Sequence, residues 1–386
     1  MDNQDHQKER KPLLYIQTAN HVMEEIRKRK LQSHDLVPSE GEIAKLYGVS
    51  RMTAKLALQI LEKKGIVYRH ARRGTFISAD YHHTHSGEQM LEKAIEEKKP
   101  IRRIALVIPN MDDYIGRIIT SVEKEAREAN CHLLIRMTGD KEDESICLQE
   151  LYDDQVEGII LYPRGSTQCS EKVLGLSLLN YPLVIIDRIF REVQIDCVYH
   201  DHYHGAYKTT QYLIEKGHQE IGYLSMAFDG VTSREDRYRG YLQAMLDHDL
   251  PVNSRNIYLS CSEDYMHQLN APNVQLASFL GNNSALTAVV CADDYIATSC
   301  LYTAISMQIL VPDQLSIIGF TDIQLASLLP VPLTTARQAT EKLGQAAVQR
   351  VVKRMDNSRE GTLTIKIDTT IVERSSVSTN VIKLFA

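Results

Sequence analysis

Two groups of residues in this 386-residue chain have the types and spacing to do chemistry. The first is local and basic. Arg51 and Lys55 stand one helical turn apart, so a helix would present them on one face, and Arg72-Arg73 fall in a turn between two short apolar runs. Cationic groups on one helix face and on a neighbouring hairpin suit contacts with phosphates and base edges. The second group is scattered: Tyr114, Arg164, Asp187-Arg188, Arg237, Asp293 and Thr321 each follow a short apolar run or open the helix after one. Carboxylate, guanidinium and hydroxyl groups converging from strand ends are what sugar hydroxyls need, with an aromatic ring for the sugar's apolar face. A third stretch, His200-Asp201-His202-Tyr203-His204, would place three histidines on one face if extended. That set could hold zinc, or His200 could line a ligand or titrate near neutrality. Tyr81-His82-His83-Thr84-His85 has no Cys or acidic partner at ligand spacing and reads as solvated linker.

The first group needs a helix-turn-helix to position it. Gly41–Tyr47 reads as a short helix, Gly48-Val49-Ser50 as a turn with Ser50 as N-cap, and Arg51–Lys64 as a second helix ended by Gly65. Ala44 and Leu46 are expected to share a small core with Ala54, Leu58 and Leu61. Ile66–Arg69 and Gly74–Ser78 then make two strands around the basic turn, and Leu14–Lys30 makes a preceding amphipathic helix with Ile16, Ala19, Val22, Met23 and Ile26 on one stripe. Arg27–Lys30 at that helix's end suit its dipole at least as well as a phosphate. Together these give a winged helix-turn-helix, the layout of a DNA reader.

Charge divides the chain. Net charge is −6, yet residues 1–80 hold fifteen Lys/Arg against ten Asp/Glu, a balance of +5, which leaves −11 for the remainder. A basic head on an acidic body suits a protein that docks one end on phosphates. The seven cysteines show no C-x-x-C spacing, as expected of reduced thiols in a cytoplasmic protein. No apolar run approaches a membrane span, and the polar start Met1-Asp2-Asn3-Gln4 does not read as a signal peptide. The expected division is a DNA-binding domain over 1–80, a linker over 81–100 with a short helix at Met90–Lys98, and a body over 101–386.

The second group needs strand ends. Ile104–Ile108, His132–Arg136, Gly158–Tyr162, Leu183–Ile186, Ile221–Ser225, Ala288–Cys291 and Leu315–Phe320 are short apolar runs. Helical patterns at Ile115–Ala129, Glu142–Asp154, Ala206–Lys216, Arg234–Asp247 and Ile296–Gln308 alternate with them. This predicts an α/β body of parallel doubly wound sheets, too long for one core and therefore two-lobed, with ligands binding where strand carboxyl ends face a cleft.

The head resembles the GntR family of bacterial regulators, through Pro38-Ser39-Glu40, Gly48-Val49-Ser50-Arg51-Met52-Thr53, Leu61-Glu62-Lys63-Lys64-Gly65 and Gly74-Thr75-Phe76. The resemblance implies DNA contacts from Ser39, Glu40, Ser50, Arg51, Thr53 and Lys55, and from Arg72, Arg73, Gly74 and Thr75 on the wing. Lys55 stands where the family usually has Arg, a point charge in place of a fork, and Arg72 where it usually has Gly. The body resembles the LacI/GalR effector domain, with its periplasmic-binding-protein-like fold. The matching pieces include Val184-Ile185-Ile186-Asp187-Arg188, Tyr212–His218, Arg237-Tyr238-Arg239-Gly240, Ala292-Asp293-Asp294, Ile317–Asp322 and Pro332–Gln338. This implies effector contacts from Arg237, Asp293 and Gln338, which join Tyr114, Arg164, Arg188, His200 and Thr321 as candidates. Asp293 replaces a common Asn and Thr321 a common Asp.

The expected protein is a dimeric regulator of sugar-utilisation genes, more a repressor than an activator. Its partners are double-stranded operator DNA and a small sugar such as L-arabinose, with no metal, cofactor or membrane. A hexose, sugar phosphate or nucleoside effector stays open. An architectural DNA binder is the second reading, against which the acidic body speaks. An enzyme is not expected: the chain has no Gly-x-Ser-x-Gly, Walker loop, dinucleotide fingerprint or His-Glu-x-x-His.

Overall fold

The computed structural model describes residues 14–70, 73–79, 81, 101–139, 143–165, 169–191, 193–262, 271–357 and 359–380. Arg72, most of the linker and the helix expected at Met90–Lys98 lie outside these residues. The chain divides into two compact units, residues 1–100 and 101–386.

The first unit opens with α1 (Leu14–Lys28), whose Ala19, Val22, Met23 and Ile26 are buried at helical spacing. A short strand β1 (Leu36–Val37), α2 (Glu40–Tyr47), α3 (Arg51–Lys63) and the hairpin β2 (Val67–His70) and β3 (Gly74–Ile77) follow. β1 pairs with β3 antiparallel, so the wing is a three-stranded sheet of order β1-β3-β2. Ser39 and Glu42 close a capping box on α2, in which the Ser39 hydroxyl accepts from Glu42 N–H and the Glu42 carboxylate accepts from Ser39 N–H. Such a cap stabilises a helix by about 1 kcal/mol. Gly48 ends α2 in the left-handed region, at φ 65°, and lets the chain turn sharply into α3. One core expectation is corrected. Ile43 of α2 is fully buried, whereas Leu46 is 55 % exposed. The helix begins at Glu40, and the buried partner of Ala54, Leu58 and Leu61 is set by the Ile43–Tyr47 face.

The second unit is two-lobed. The first lobe holds β4 (Arg102–Ile108), α4 (Asp113–Glu128), β5 (Cys131–Met137), α5 (Glu144–Asp153), β6 (Gly158–Leu161), α6 (Glu171–Leu178), β7 (Leu183–Ile186) and β8 (Asp196–His200). The chain crosses at α7 (His202–Glu215) into β9 (Ile221–Met226), α8 (Thr232–Asp247), β10 (Ile257–Cys261), α9 (Val274–Asn282), β11 (Ala288–Cys291), α10 (Asp294–Ser306), β12 (Ser316–Thr321) and β13 (Thr334–Arg337). It returns through α11 (Thr340–Asp356) and β14 (Thr364–Ile367) to the first lobe, then ends in the second with β15 (Thr370–Val372). The sheet orders are β14-β8-β7-β6-β4-β5, all parallel, and β10-β9-β11-β12-β13-β15, parallel except for β15. Fully buried runs such as Gly158–Leu161 and Ala288–Cys291 are what helices on both faces require.

Three crossings therefore join the lobes, just after His200, Arg337 and Ile367. α11 packs on α4 at Gly344, where an added Cβ would lie 2.3 Å from Ser121 Oγ. β8 escaped the sequence reading because its first residue, Asp196, is charged. The structure buries that carboxylate against Arg350 (2.6 Å) and Arg354 (3.2 Å).

Candidate functional site

In the head, α3 presents Arg51, Met52 and Lys55 to solvent, with Ala54, Ala57, Leu58 and Leu61 turned into the core. Ser50 caps α3 by accepting from Thr53 N–H at 3.0 Å, and its hydroxyl also meets the Thr53 hydroxyl at 2.8 Å. Arg73 and Gly74 are exposed on the wing, while Thr75 is buried. Ser39 and Glu40 are tied into the head itself. Ser39 belongs to the capping box, and Glu40 pairs with Arg69 of the wing at 3.2 Å. Arg69 also pairs with Glu62 at 3.2 Å and donates to the Lys55 carbonyl at 3.4 Å. That guanidinium fixes the wing, α2 and α3 to one another, a role the spacing of residues did not reveal.

In the body, the carboxyl ends of both sheets face each other, and a buried polar cluster joins them. The Tyr114 hydroxyl donates to Asp187 Oδ1 at 2.5 Å and accepts from Gln338 Nε2 at 3.0 Å. Gln338 Nε2 also meets His200 Nδ1 at 3.2 Å. An amide nitrogen can only donate, so His200 Nδ1 is the acceptor of this pair and Nε2 is the ring N–H. His200 Nε2 and Gln338 Oε1 are then a buried donor and a buried acceptor with no hydrogen-bond partner among the described residues. Across the first crossing, His202 Nε2 meets the Asp187 carbonyl at 3.2 Å, and its Nδ1 accepts from Arg237 Nε at 3.3 Å. Arg237 Nη1 donates to the Ala292 carbonyl at 2.7 Å, and the guanidinium lies over the Phe320 ring at 4.2 Å.

Electrostatics sort the charges in this cluster. Burial, then the Arg237 charge, pushes the His202 pKa down to about 3, so His202 is a neutral relay at pH 7. Burial, then the neighbouring Asp187 charge, holds the Tyr114 phenol well above its usual value and keeps it a donor. Burial opposes ionisation of Asp187, but the polar surroundings supplied by His200, His202 and the Tyr114 hydroxyl outweigh it and keep the carboxyl low. Burial raises the Asp293 carboxyl, an effect partly offset by Ile296 N–H and Arg237. Asp294 beside it is pushed up to about 6, again by burial, although it accepts from Thr335 Oγ1 (2.6 Å) and Ile323 N–H (2.9 Å).

The structure thus brings Tyr114, His200, Arg237 and Gln338 into one connected cluster. Asp293 caps α10 by accepting from Ile296 N–H at 2.9 Å, within electrostatic reach of Arg237. Thr321 ends β12 at φ 120°, and its carbonyl meets Gln338 N–H at 3.4 Å, so its backbone is the part engaged. Arg188 lies over Tyr162 at 5.1 Å and donates to the Pro163 carbonyl at 2.8 Å. Arg164 is exposed, its backbone N–H donating to Glu144 at 3.2 Å. The extended reading of the histidine stretch is corrected: α7 begins at His202, so His202 and His204 are helical, and His204 pairs with Asp201 at 2.7 Å. Among the described residues no group of three or more His, Cys, Asp or Glu is placed to hold a metal. Sequence reasoning missed His202 and Phe320, the first read as a ligand and the second as a strand residue.

A winged helix-turn-helix joined to a two-lobed body with a polar cleft is the architecture of a ligand-responsive transcription regulator. Residues 14–77 match the model of the gntR family of bacterial regulatory proteins, and residues 210–377 that of the periplasmic binding protein-like domain. The chain belongs to the GntR-headed transcription regulators with a LacI/GalR-type body, and is a regulator rather than an enzyme. It is 29 % identical over 351 residues to the arabinose metabolism transcriptional repressor of Geobacillus stearothermophilus, covering 89 % of this chain and 91 % of that one. It is 31 % identical over 274 residues to the ribose operon repressor of Haemophilus influenzae, covering 70 % of this chain and 80 % of that one. Among solved structures, the transcription regulator CcpA of Lactococcus lactis superposes with a TM-score of 0.64 at 21 % identity, over 72 % of this chain and all of that one. A LacI family regulator of Enterococcus faecium with bound ribose superposes at 0.62 and 20 % identity, over 72 % of this chain and 99 % of that one.

Proposed function

We propose that this protein is a homodimeric repressor of sugar-utilisation genes that a small sugar, L-arabinose or another pentose, releases from its operator. The observation that carries the sugar half of this reading is the unmet pair in the cleft. His200 Nε2 offers a proton and Gln338 Oε1 needs one. A molecule bearing hydroxyl groups supplies both partners, and leaving either atom unmet costs roughly 1–3 kcal/mol. His200 lies on the first crossing between lobes and Gln338 on the second, so a ligand bonded to both acts on the hinge. Arg237 and Asp293 complete the polar lining from the second lobe. The full-length relatives that repress arabinose and ribose genes support the class of effector.

On the DNA side, Arg51, Thr53 and Lys55 enter the major groove, with Arg73 and its neighbour Arg72 reading the wing's side. Ser39, Glu40, Ser50 and Thr75 shape the head, and Gly74 brings the wing backbone close to the duplex. If Arg51 reads a guanine, Arg51→Ala costs roughly 1–3 kcal/mol and relaxes preference at one operator position. Arg73→Ala, acting on phosphate, weakens binding to all sequences alike and makes the salt slope shallower by about one. Selection from a randomised duplex pool, followed by gel shifts at several salt concentrations, separates the two. Equal losses on operator and random DNA for Arg51→Ala would remove the readout role.

A further inference from the structure

Beside the buried cluster, two further contacts between the lobes among the described residues are each made by a close neighbour of a cleft side chain. In the first, Arg191, in the loop between β7 and β8, donates to Asp236 Oδ1 at 2.5 Å and to Glu235 Oε2 at 3.4 Å, both at the start of α8. Ile189 N–H in the same loop meets Thr232 Oγ1 at 3.5 Å. In the second, Gln324 N–H, just after β12, donates to the Asp113 carboxylate at 3.4 Å, and Asp113 also holds Arg117 at 3.2 Å. Asp113 precedes Tyr114, and Asp236 precedes Arg237. The residues that face the cleft and those that hold the lobes together are therefore consecutive on α4 and on α8, and one rigid turn of helix couples them.

The partners differ in what they keep if the lobes separate. Arg239 sits on the same helix as Asp236, 3.7 Å from it, and stays whichever way the lobes stand. Arg191 belongs to the other lobe, so its two ion pairs break if the lobes separate. The Asp236 side chain is 16 % exposed, and burial raises its carboxyl above the usual range despite Arg191 and Arg239. Water screens this pair less than it would an open surface pair.

We propose that Arg191 is a positioning residue for the cleft, an ionic latch from the first lobe to Glu235 and Asp236 that holds the lobes closed over the effector. The proposal rests on the cleft being the effector site. An ordinary surface pair changes affinity by a factor of about five at most. A latch formed only in the closed state raises the closed fraction, and the effector's apparent affinity scales with that fraction. It also protects contacts that Arg191 does not touch.

The test uses the full chain, with Arg191→Ala, Arg191→Glu, and Arg191→Glu combined with Asp236→Arg. Affinity for L-arabinose and D-ribose is measured by calorimetry at ~50 mM and ~300 mM KCl, where screening lengths differ about two- to threefold. Hydrogen exchange of residues 323–328, which include the Gln324 amide, is followed without sugar. Arg191→Ala is expected to weaken sugar binding about tenfold at low salt, the size of one hydrogen bond to a charged group. The gap to wild type narrows at high salt, exchange at Gln324 quickens, and the charge-reversed pair recovers both. Unchanged affinity and exchange in Arg191→Ala, or equal losses at both salts with no recovery on reversal, would overturn the latch. If wild type binds neither sugar, yet Arg191→Ala still exposes the Gln324 amide, the latch stands and the effector assignment falls.

Discussion

Arg237→Ala is expected to abolish most sugar binding, with a loss of roughly a hundredfold or more, while the sugar-free protein holds its operator as wild type does. Three of the five guanidinium N–H groups bond within the protein: Nε and Nη2 face His202 Nδ1, and Nη1 bonds the Ala292 carbonyl. A ligand in the cleft is expected to take the remaining two N–H groups, one on each terminal nitrogen. Two hydrogen bonds to a charged group are worth about 3 kcal/mol together at the low end, which is roughly a hundredfold. Removing the side chain also uncovers the Phe320 face and leaves the Ala292 carbonyl without that donor. Arg237→Lys keeps the charge but not the fork and should recover only a part. The head is a separate compact unit, so its grip on DNA is not the quantity at risk. Calorimetry with the sugar and gel shift with the operator read the two halves independently. Wild-type sugar affinity in Arg237→Ala would place the effector elsewhere.

Gly240→Ala is expected to damage the body itself. A Cβ built at Gly240 lies 2.1 Å from the Tyr203 carbonyl oxygen and 2.9 Å from Tyr207 N, both backbone atoms of α7. Neither can yield as a flexible side chain would, so α8 must move off α7. Overpacking of this kind costs typically 1–3 kcal/mol, and more where backbone is the obstacle. A cost near 3 kcal/mol lowers the melting midpoint of a body this size by about 5 °C or more. Arg237 sits three residues earlier on the same helix, so effector affinity should fall with stability. Gly41→Ala supplies the contrast. It lies in α2, nothing stands within 4 Å of its added Cβ, and its change should raise helix stability by about 0.5–1 kcal/mol. A Gly240→Ala protein with wild-type melting and sugar affinity would mean that the helix contact gives way at little cost.

How far the sequence reveals this protein depends on what kind of force sets each feature. The head was legible almost residue by residue, because caps, turn glycines and helical spacing are local. Ser50, Gly48 and Gly65 mark boundaries that the structure keeps within a residue or so. The slip at Leu46 came from an uncertain helix phase in an eight-residue segment, where one residue of offset turns the buried face. In the body, most strands of Val, Ile and Leu announced themselves, whereas β8 and β13 did not, nor did β10, β14 and β15. Asp196 in the first is balanced by Arg350 and Arg354 from α11, about 150 residues later, and Thr334-Thr335 in the second bond to Ser376, Arg374 and Asp294. Such strands are stabilised by partners that no local window contains. The cleft followed the same division. Arg237 and Asp293 could be placed at element ends from the sequence, but the neutrality of His202 and the latch at Arg191 are properties of surroundings assembled from both lobes.

A small sugar bound in the cleft is expected to change the head's hold on DNA. Fluorescence anisotropy of a labelled operator, found by selection and held by the full-length protein, tests it most directly as L-arabinose and then D-ribose are titrated in. A ligand that binds the free state about 100-fold better than the DNA-bound state shifts that equilibrium by roughly 2.7 kcal/mol. The predicted result is release of the operator over the range in which calorimetry shows the sugar binding, with Arg237→Ala protein staying on the DNA throughout. Operator that remains fully bound while the sugar saturates the protein, or that is released equally from wild type and Arg237→Ala, would contradict it.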